Sequence, residues 1–343
     1  MEKQRIPADF LIGTSSSAWQ IEGCAGKKEG QESWAELFYD TNPDIWYDDV
    51  GPKKASDFYH HYKEDIKTMA SFGMTGFRFT IQWARFMKDP IAGIVDYDAV
   101  EYYRDVIHEI KKNGMEPVIS LEHWDIPAIL FEKYNGWESR ECIGHYVRYC
   151  KTIFDRYQDK VKYWLTFNEI NAGTLPLGSV LSLGTIRGYS GPVTEVWDRP
   201  NERFQALHHQ LLASAQAVKY AHENYPKFRM GDMNLFCTMY PLTCNPDDVI
   251  ATQKEMQMMN WFCSDIQIRG IYPYYADRYF EEKGIRIIME ENDKEILREG
   301  TVDFYTCSYY MSNCVSTDPK HAKVSGNLLG GIANPYLKSS DWG

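Results

Sequence analysis

The segment YWLTFNEINAG (163–173) runs five apolar or β-favouring residues, Tyr163 to Phe167, directly into Asn168-Glu169 before a loop opens. Aromatic and β-branched side chains favour a strand, and Asn-Ala-Gly ends it. A carboxyl group at the tip of a buried strand loses water, which favours its acid form and raises its pKa. Such a group is a proton donor, or a structural liability that a neighbour must neutralise. Three other strand-like segments carry polar or aromatic groups in or just after their C-terminal halves. These are Arg78 and Trp83 in GFRFTIQW (76–83), His123 with Trp124 at the end of EPVISLEH (116–123), and Tyr309 in FYTCSYYM (304–311). Other chemistries are less well served. His60-His61 and His208-His209 fall on helix-like segments without HExxH spacing, and are read as solvated or packing residues. SGNLLGG (325–331) is read as a loop rather than a phosphate cradle, because no Gly-Lys-Ser/Thr follows.

Positioning these groups falls to an alternation of strand-like and helix-like segments. FLIGTSSS (10–17) precedes a helix expected over 56–72, with Phe58, Tyr62, Ile66 and Met69 at helical spacing and Gly73 as its stop. GFRFTIQW is followed by a helix over 97–113 carrying Val100, Tyr103, Ile107 and Ile110, closed by Gly114. EPVISLEH is followed by a helix over 139–157, whose stripe of Ile143, Tyr146, Val147, Cys150, Ile153 and Phe154 is the clearest period in the chain. YWLTFNEI (163–170) comes next, then a helix over 202–223, RMGDMNLF (229–236), a helix over 248–266, and FYTCSYYM. This order implies a parallel sheet covered by helices, either doubly wound or a barrel. Polar groups gathered at strand C-termini favour the barrel, whose active sites lie at that end. The turn GTSSSAWQIEG after the first strand lacks the dinucleotide fingerprint of the alternative. The expected fold is an α/β, (β/α)8 TIM barrel in one domain over 1–343, with about six of its eight β/α units countable.

Bulk properties bound the partners. A net charge of −11 argues against a nucleic-acid backbone as the main one. MEKQRIPADF has no apolar stretch of signal-peptide length, and no 18-residue uncharged apolar run follows, so no membrane association and a cytoplasmic location are expected. The eight cysteines form no CxxC pair, and most are read as buried thiols in a reducing compartment. Aromatic residues make up 15% of the chain, with 24 Tyr, which serves either core filling or a concave site lined by rings.

FLIGTSSSAWQIEG (10–23), GFRFTIQWARF (76–86), LEHWDIP (121–127), TFNEIN (166–171) and DFYTCSYYMS (303–312) resemble, in this order, the blocks of family 1 glycoside hydrolases. TFNEIN, SYYMSNCVSTD and NPYLKSSDWG look most like the bacterial 6-phospho-β-glucosidases of that family. The resemblance implies retaining hydrolysis of a small-molecule phosphorylated β-glucoside, without cofactor or metal. Glu169 would be the general acid/base. Gln20, His123, Trp124 and Asn168 would hold sugar hydroxyls, and Arg78 and Tyr309 would support the catalytic nucleophile. The alternatives are an unphosphorylated β-glucosidase or β-galactosidase, and a non-catalytic sugar-binding or regulatory barrel.

Retaining glycosidases need a second carboxylate about 5 Å from the first. In the family it is the Glu of an ENG-type motif on the seventh strand, and the 343 residues run only to SSDWG (339–343), ahead of such a motif. No nucleophile is therefore assigned. In GIRIIMEEND (284–293), Glu291 is set aside because Asn292 or Asp293 reads as the cap of a helix KEILRE (294–299) closed by Gly300. Glu22 and Glu122 flank strand ends, and side-chain alternation is expected to point Glu122 away from the face of His123. Little or no hydrolysis by these 343 residues alone is expected, with self-association through open sheet edges.

Overall fold

The computed structural model describes residues 6–338 apart from 8, 42–45, 47, 49, 186, 190, 192–194 and 322–330. The SSDWG segment and all but Gly331 of the SGNLLGG loop thus lie outside the described residues. Eight strands occur among the described residues: β1 (Gly13–Ser15), β2 (Gly76–Thr80), β3 (Met87–Asp89), β4 (Ile94–Val95), β5 (Glu116–Ser120), β6 (Tyr163–Leu165), β7 (Arg229–Pro241) and β8 (Phe304–Val315). β3 and β4 form a small antiparallel hairpin, and the other six follow the order β1-β2-β5-β6-β7-β8. That is a parallel sheet with helical crossovers, the architecture of an incomplete (β/α)8 barrel.

The chain folds as two compact units of interleaved segments: 1–133 with 145–166 and 220–230, and 134–144 with 167–219 and 231–343. In the first, β1, β2, β5 and β6 pair in parallel, with Thr80 opposite Ser120 and Ser120 opposite Leu165. The C-terminal tips of β2, β5 and β6 are therefore level. In the second, β7 and β8 pair in parallel from Gly231–Phe304 to Pro241–Val315, with a register shift between Phe236 and Cys237.

Helices form where the spacing places them, at Phe58–Ser71, Tyr97–Lys112, Glu141–Tyr157 and Pro200–Asn224. Every residue of the 143–154 stripe is buried. Within the first unit, Phe154 meets Trp164 of β6 edge-on at 5.1 Å and Phe228 at 5.4 Å. Tyr225 stacks on Phe228 at 4.7 Å. The helix expected over 248–266 divides into Pro246–Met256, a π-helical stretch Gln257–Trp261, and Phe262–Arg269.

The strands differ most from expectation. Four expected strands stop early: 10–17 is paired only over 13–15, 76–83 ends at Thr80, 116–123 at Ser120 and 163–170 at Leu165. The residues beyond each tip carry most of the polar groups, and they turn out of the ladder. β7 and β8 instead continue to Pro241 and Val315 because they pair with each other along that length. The helix at Asp293–Glu299 is present, but Asn292 makes no side-chain capping bond. Asp293 is buried and accepts from Arg140 and from His208 Nε2 at 3.0 Å. Those bonds outweigh its burial and bring the carboxyl down to about 2. His208 and His209 are accordingly buried hydrogen-bonding residues, whereas His60 and His61 are exposed.

Phe154→Ala empties an aromatic site with no exposed surface. It is expected to cost about 3–5 kcal/mol, measured as a lower urea midpoint at an unchanged slope.

Candidate active site

A parallel strand that leaves its sheet strands its own backbone groups, which are costly if buried without partners. In the first unit, tyrosines of the covering helices satisfy them. The Tyr149 hydroxyl shares its one proton between the carbonyls of Ile81 (2.5 Å) and Leu121 (2.9 Å), just past the tips of β2 and β5. The Tyr146 hydroxyl donates to the carbonyl of Thr166 (2.5 Å), just past β6. Tyr103 accepts the Gln82 N–H at 2.9 Å and donates to Glu22 at 3.0 Å. All three rings are fully buried. Three of the 24 tyrosines thus cap strand tips, a use that composition does not reveal.

The first unit carries four of the expected site residues. Arg78 lies on the face of β2 opposite Phe77 and Phe79. Its Nε donates to Ser120 Oγ (2.8 Å) on β5, and one terminal nitrogen donates to Ser15 Oγ (3.1 Å) on β1. The guanidinium thus bridges three strands on the non-helical face, leaning toward their C-terminal ends. Past β5, the chain turns at Trp124 with φ of 56°, a left-handed conformation uncommon for a bulky residue. Burial and the nearby Arg78 charge hold the His123 imidazole well below its usual pKa, so it is neutral at pH 7. Its Nδ1 is buried without a hydrogen-bond partner among the described residues. A buried, neutral nitrogen of that kind suits a sugar hydroxyl. Gln20, in the turn Ala18–Ile21, is exposed and accepts from the Ser17 hydroxyl at 2.7 Å.

Glu122 lies two residues past the end of β5, with Tyr146 and Tyr149 as neighbours, whereas His123 is neighboured by Arg78. Glu122 is buried in the turn. Its Oε1 accepts the Asp125 N–H at 3.0 Å, while Asp125 Oδ1 accepts the His123 N–H at 3.2 Å.

The second unit carries the other three. Asn168 and Glu169 are buried, at 2% and 5% exposure. Glu169 has φ of 45° and ψ of 49°, and its carbonyl accepts the Ala172 N–H to open a short 3-10 helix, Ile170–Thr174. A left-handed glutamate costs on the order of 1–3 kcal/mol, so the surroundings must hold it. Phe167 packs edge-on against Trp137 at 5.4 Å. Asn171, fully buried, is hydrogen-bonded on both sides of its amide: Nδ2 donates to the carbonyls of Leu235 (2.7 Å) and Met259 (2.5 Å), and Oδ1 accepts the Leu235 N–H at 2.7 Å. Asn260, within the π-helical stretch, does the same two residues along β7, accepting from the Cys237 N–H and donating to its carbonyl. Two asparagine side chains thus take the place of a neighbouring strand for β7. Tyr309 stands on β8 opposite Phe236, its ring 6.4 Å away and 59% exposed. On the same face of β7, Asp232 accepts from Asn234 at 3.0 Å and from the Thr306 N–H at 3.3 Å. Burial pushes its carboxyl up to about 7.

Glu291, the rejected acid, is exposed in the turn before its helix. Asp232 and Asn234 on β7, and Asn171 and Asn260 on helical turns, carry no local pattern that marks them in the sequence. The one available signal was the polar residue two places after Glu169 in TFNEIN.

The sequence profile of glycosyl hydrolase family 1 matches residues 2–343, and the chain belongs to that family. It is 40% identical to the aryl-phospho-beta-D-glucosidase BglH of Bacillus subtilis (strain 168), covering 99% of this chain and 72% of that protein. It is also 40% identical to a 6-phospho-beta-glucosidase of Clostridium longisporum, covering 98% and 70% of the two chains. Beta-glucosidase 11 of Oryza sativa subsp. japonica is 31% identical, covering 99% and 67%.

Asn171→Ala leaves the Leu235 N–H and two carbonyls without the amide. It is expected to cost about 2–4 kcal/mol in urea unfolding, and to raise hydrogen exchange at Leu235 while sparing that at Phe154.

Proposed function

We propose that this chain carries the acid/base half of a retaining glycosidase acting on 6-phospho-β-glucosides. The observation that carries this reading is Glu169, a buried carboxyl in a strained left-handed turn just past a parallel strand tip. Its acid form protonates the departing glycosidic oxygen, and its carboxylate then takes a proton from the attacking water. Gln20, His123, Trp124 and Asn168 hold the hydroxyls of the sugar at the cleavage point. Arg78 and Tyr309 orient the nucleophile and stabilise its charge. The 40% identity to two phospho-glucosidases supports a phosphorylated substrate over an unphosphorylated one, which has the support of a relative at 31%.

No Glu-Asn-Gly occurs in the 343 residues, and none of their acids is assigned as nucleophile. A protein of residues 1–343 alone is therefore expected to hydrolyse p-nitrophenyl β-glucoside 6-phosphate at no more than about 10⁻³ of the rate reached when the matching C-terminal portion of the Bacillus relative is supplied, a gap set by loss of a group that works as part of a unit. Glu169→Gln should then lower the restored kcat by roughly 10²–10⁴-fold. Full turnover without the added portion, or an unaffected Glu169→Gln protein, refutes the assignment.

Self-association belongs to the same reading. β8 presents Tyr305, Tyr309 and Tyr310 at 41%, 59% and 52% exposure. Light scattering of residues 1–343 should give a mass above the 39.9 kDa of one chain, returning toward one-to-one stoichiometry when the C-terminal portion is added.

A further inference from the structure

The turn that presents His123 and Trp124 is closed by two acids. Glu122 and Asp125 are 1% and 0% exposed. Each accepts a backbone N–H of the turn, from Asp125 and His123 respectively, so together they fix its path. The remaining oxygen of each, Glu122 Oε2 and Asp125 Oδ2, is buried without a hydrogen-bond partner among the described residues. Two desolvated carboxylates in one four-residue turn need either a cation or a proton.

No cation forms an ion pair with Glu122 or Asp125 among the described residues. Glu22, after the turn Ala18–Ile21, and Glu36, on the helix Trp34–Thr41, also face the pair. Lys27 is engaged by Glu36 at 2.5 Å, and Arg85 by Glu22 at 2.9 Å. The Lys27 charge does reach Asp125, but Glu22 and Glu36 oppose it there, so four acids share two bases. From the helix Glu141–Tyr157, Tyr146 and Tyr149 face the pair as neutral hydroxyls, and both donate elsewhere. His123 itself is uncharged.

The geometry points to a proton-holding pair: at least one of Glu122 and Asp125 keeps its proton through neutral pH, and that proton holds the His123–Trp124 turn in the shape that binds the sugar. Glu122 and Asp125 are positioning residues here, and the inference rests on the assignment of His123 and Trp124 to the substrate. Burial and the mutual charge place Glu122 well above the usual carboxylate range, and burial takes Asp125 up to about 7. Because both are raised, the folded chain holds more protons than the unfolded one from about pH 4 upward. Stability therefore falls as pH rises from about 4 through 7, and levels off only above the pair's upper ionisation. In that upper step the last proton passes to solvent, and both carboxylates of the turn are left charged.

The test uses the 343-residue protein from pH 7 to pH 10, with calorimetric affinity for glucose 6-phosphate and the fluorine resonance of 5-fluorotryptophan at position 124. The wild-type affinity should fall at least 10-fold on the alkaline limb, with the Trp124 resonance moving over the same range. Glu122→Gln keeps an acceptor for the Asp125 N–H and stands in for the protonated acid, so both readouts should stay flat. Asp125→Asn should behave alike, and serves if the first variant fails to fold. A Trp124 resonance that does not titrate, or that titrates alike in wild type and both variants, overturns the pair. Titration of Trp124 that the variants abolish, with no sugar affinity at any pH, sustains the pair and overturns the assignment of this turn to the substrate.

Discussion

Everything at the C-terminal end of this sheet depends on how the backbone is completed where strands leave the ladder. Parallel strands of three to five residues end level with one another, and their next peptide groups enter a low-dielectric interior where an unmet carbonyl is expensive. Tyrosine hydroxyls from the covering helix meet them past β2, β5 and β6. Asparagine amides meet them along β7. Once those bonds exist the next residues have little freedom, which is what lets Trp124 and Glu169 persist in a left-handed conformation that their side chains disfavour.

Seen this way, the site's polar side chains are an outcome of the packing behind them. Tyr149 fixes Ile81 and Leu121, one just past Arg78's strand and the other two residues before His123. Tyr146 fixes Thr166, three residues before Glu169. The helix Glu141–Tyr157 therefore acts on three tips through two adjacent turns of one element. The apolar stripe that buries this helix also delivers its two hydroxyls.

The architecture was largely legible in the sequence, since helical spacing and strand alternation are signals of the same local geometry that folding uses. The helix 141–157 and the five motif blocks are examples. Strand ends were not legible. GFRFTIQW, EPVISLEH and YWLTFNEI are continuous in β-propensity, yet each leaves the ladder at a residue chosen by tertiary hydrogen bonds that no local pattern encodes. Glu122 nonetheless has Tyr146 and Tyr149 of the covering helix as neighbours, whereas His123 is neighboured by Arg78. Local chemistry allows Asn292 or Asp293 as a helix cap, but Asp293's partners Arg140 and His208 lie 153 and 85 residues away. Asn171 and Asn260 were missed because an amide serving as a surrogate strand has no sequence signature of its own.

The π-helical stretch Gln257–Trp261 bears on how this part of the chain can change over evolutionary time. A wide turn of this kind holds one residue more than an α-turn, and here that surplus coincides with the asparagine that reaches Cys237. Excision of one residue from 257–259 would tighten the turn and swing Asn260 by about 100° around the axis, leaving β7 without its second amide clamp. The residue count of this stretch is therefore constrained by the strand it clamps as firmly as the identity of Asn260 is.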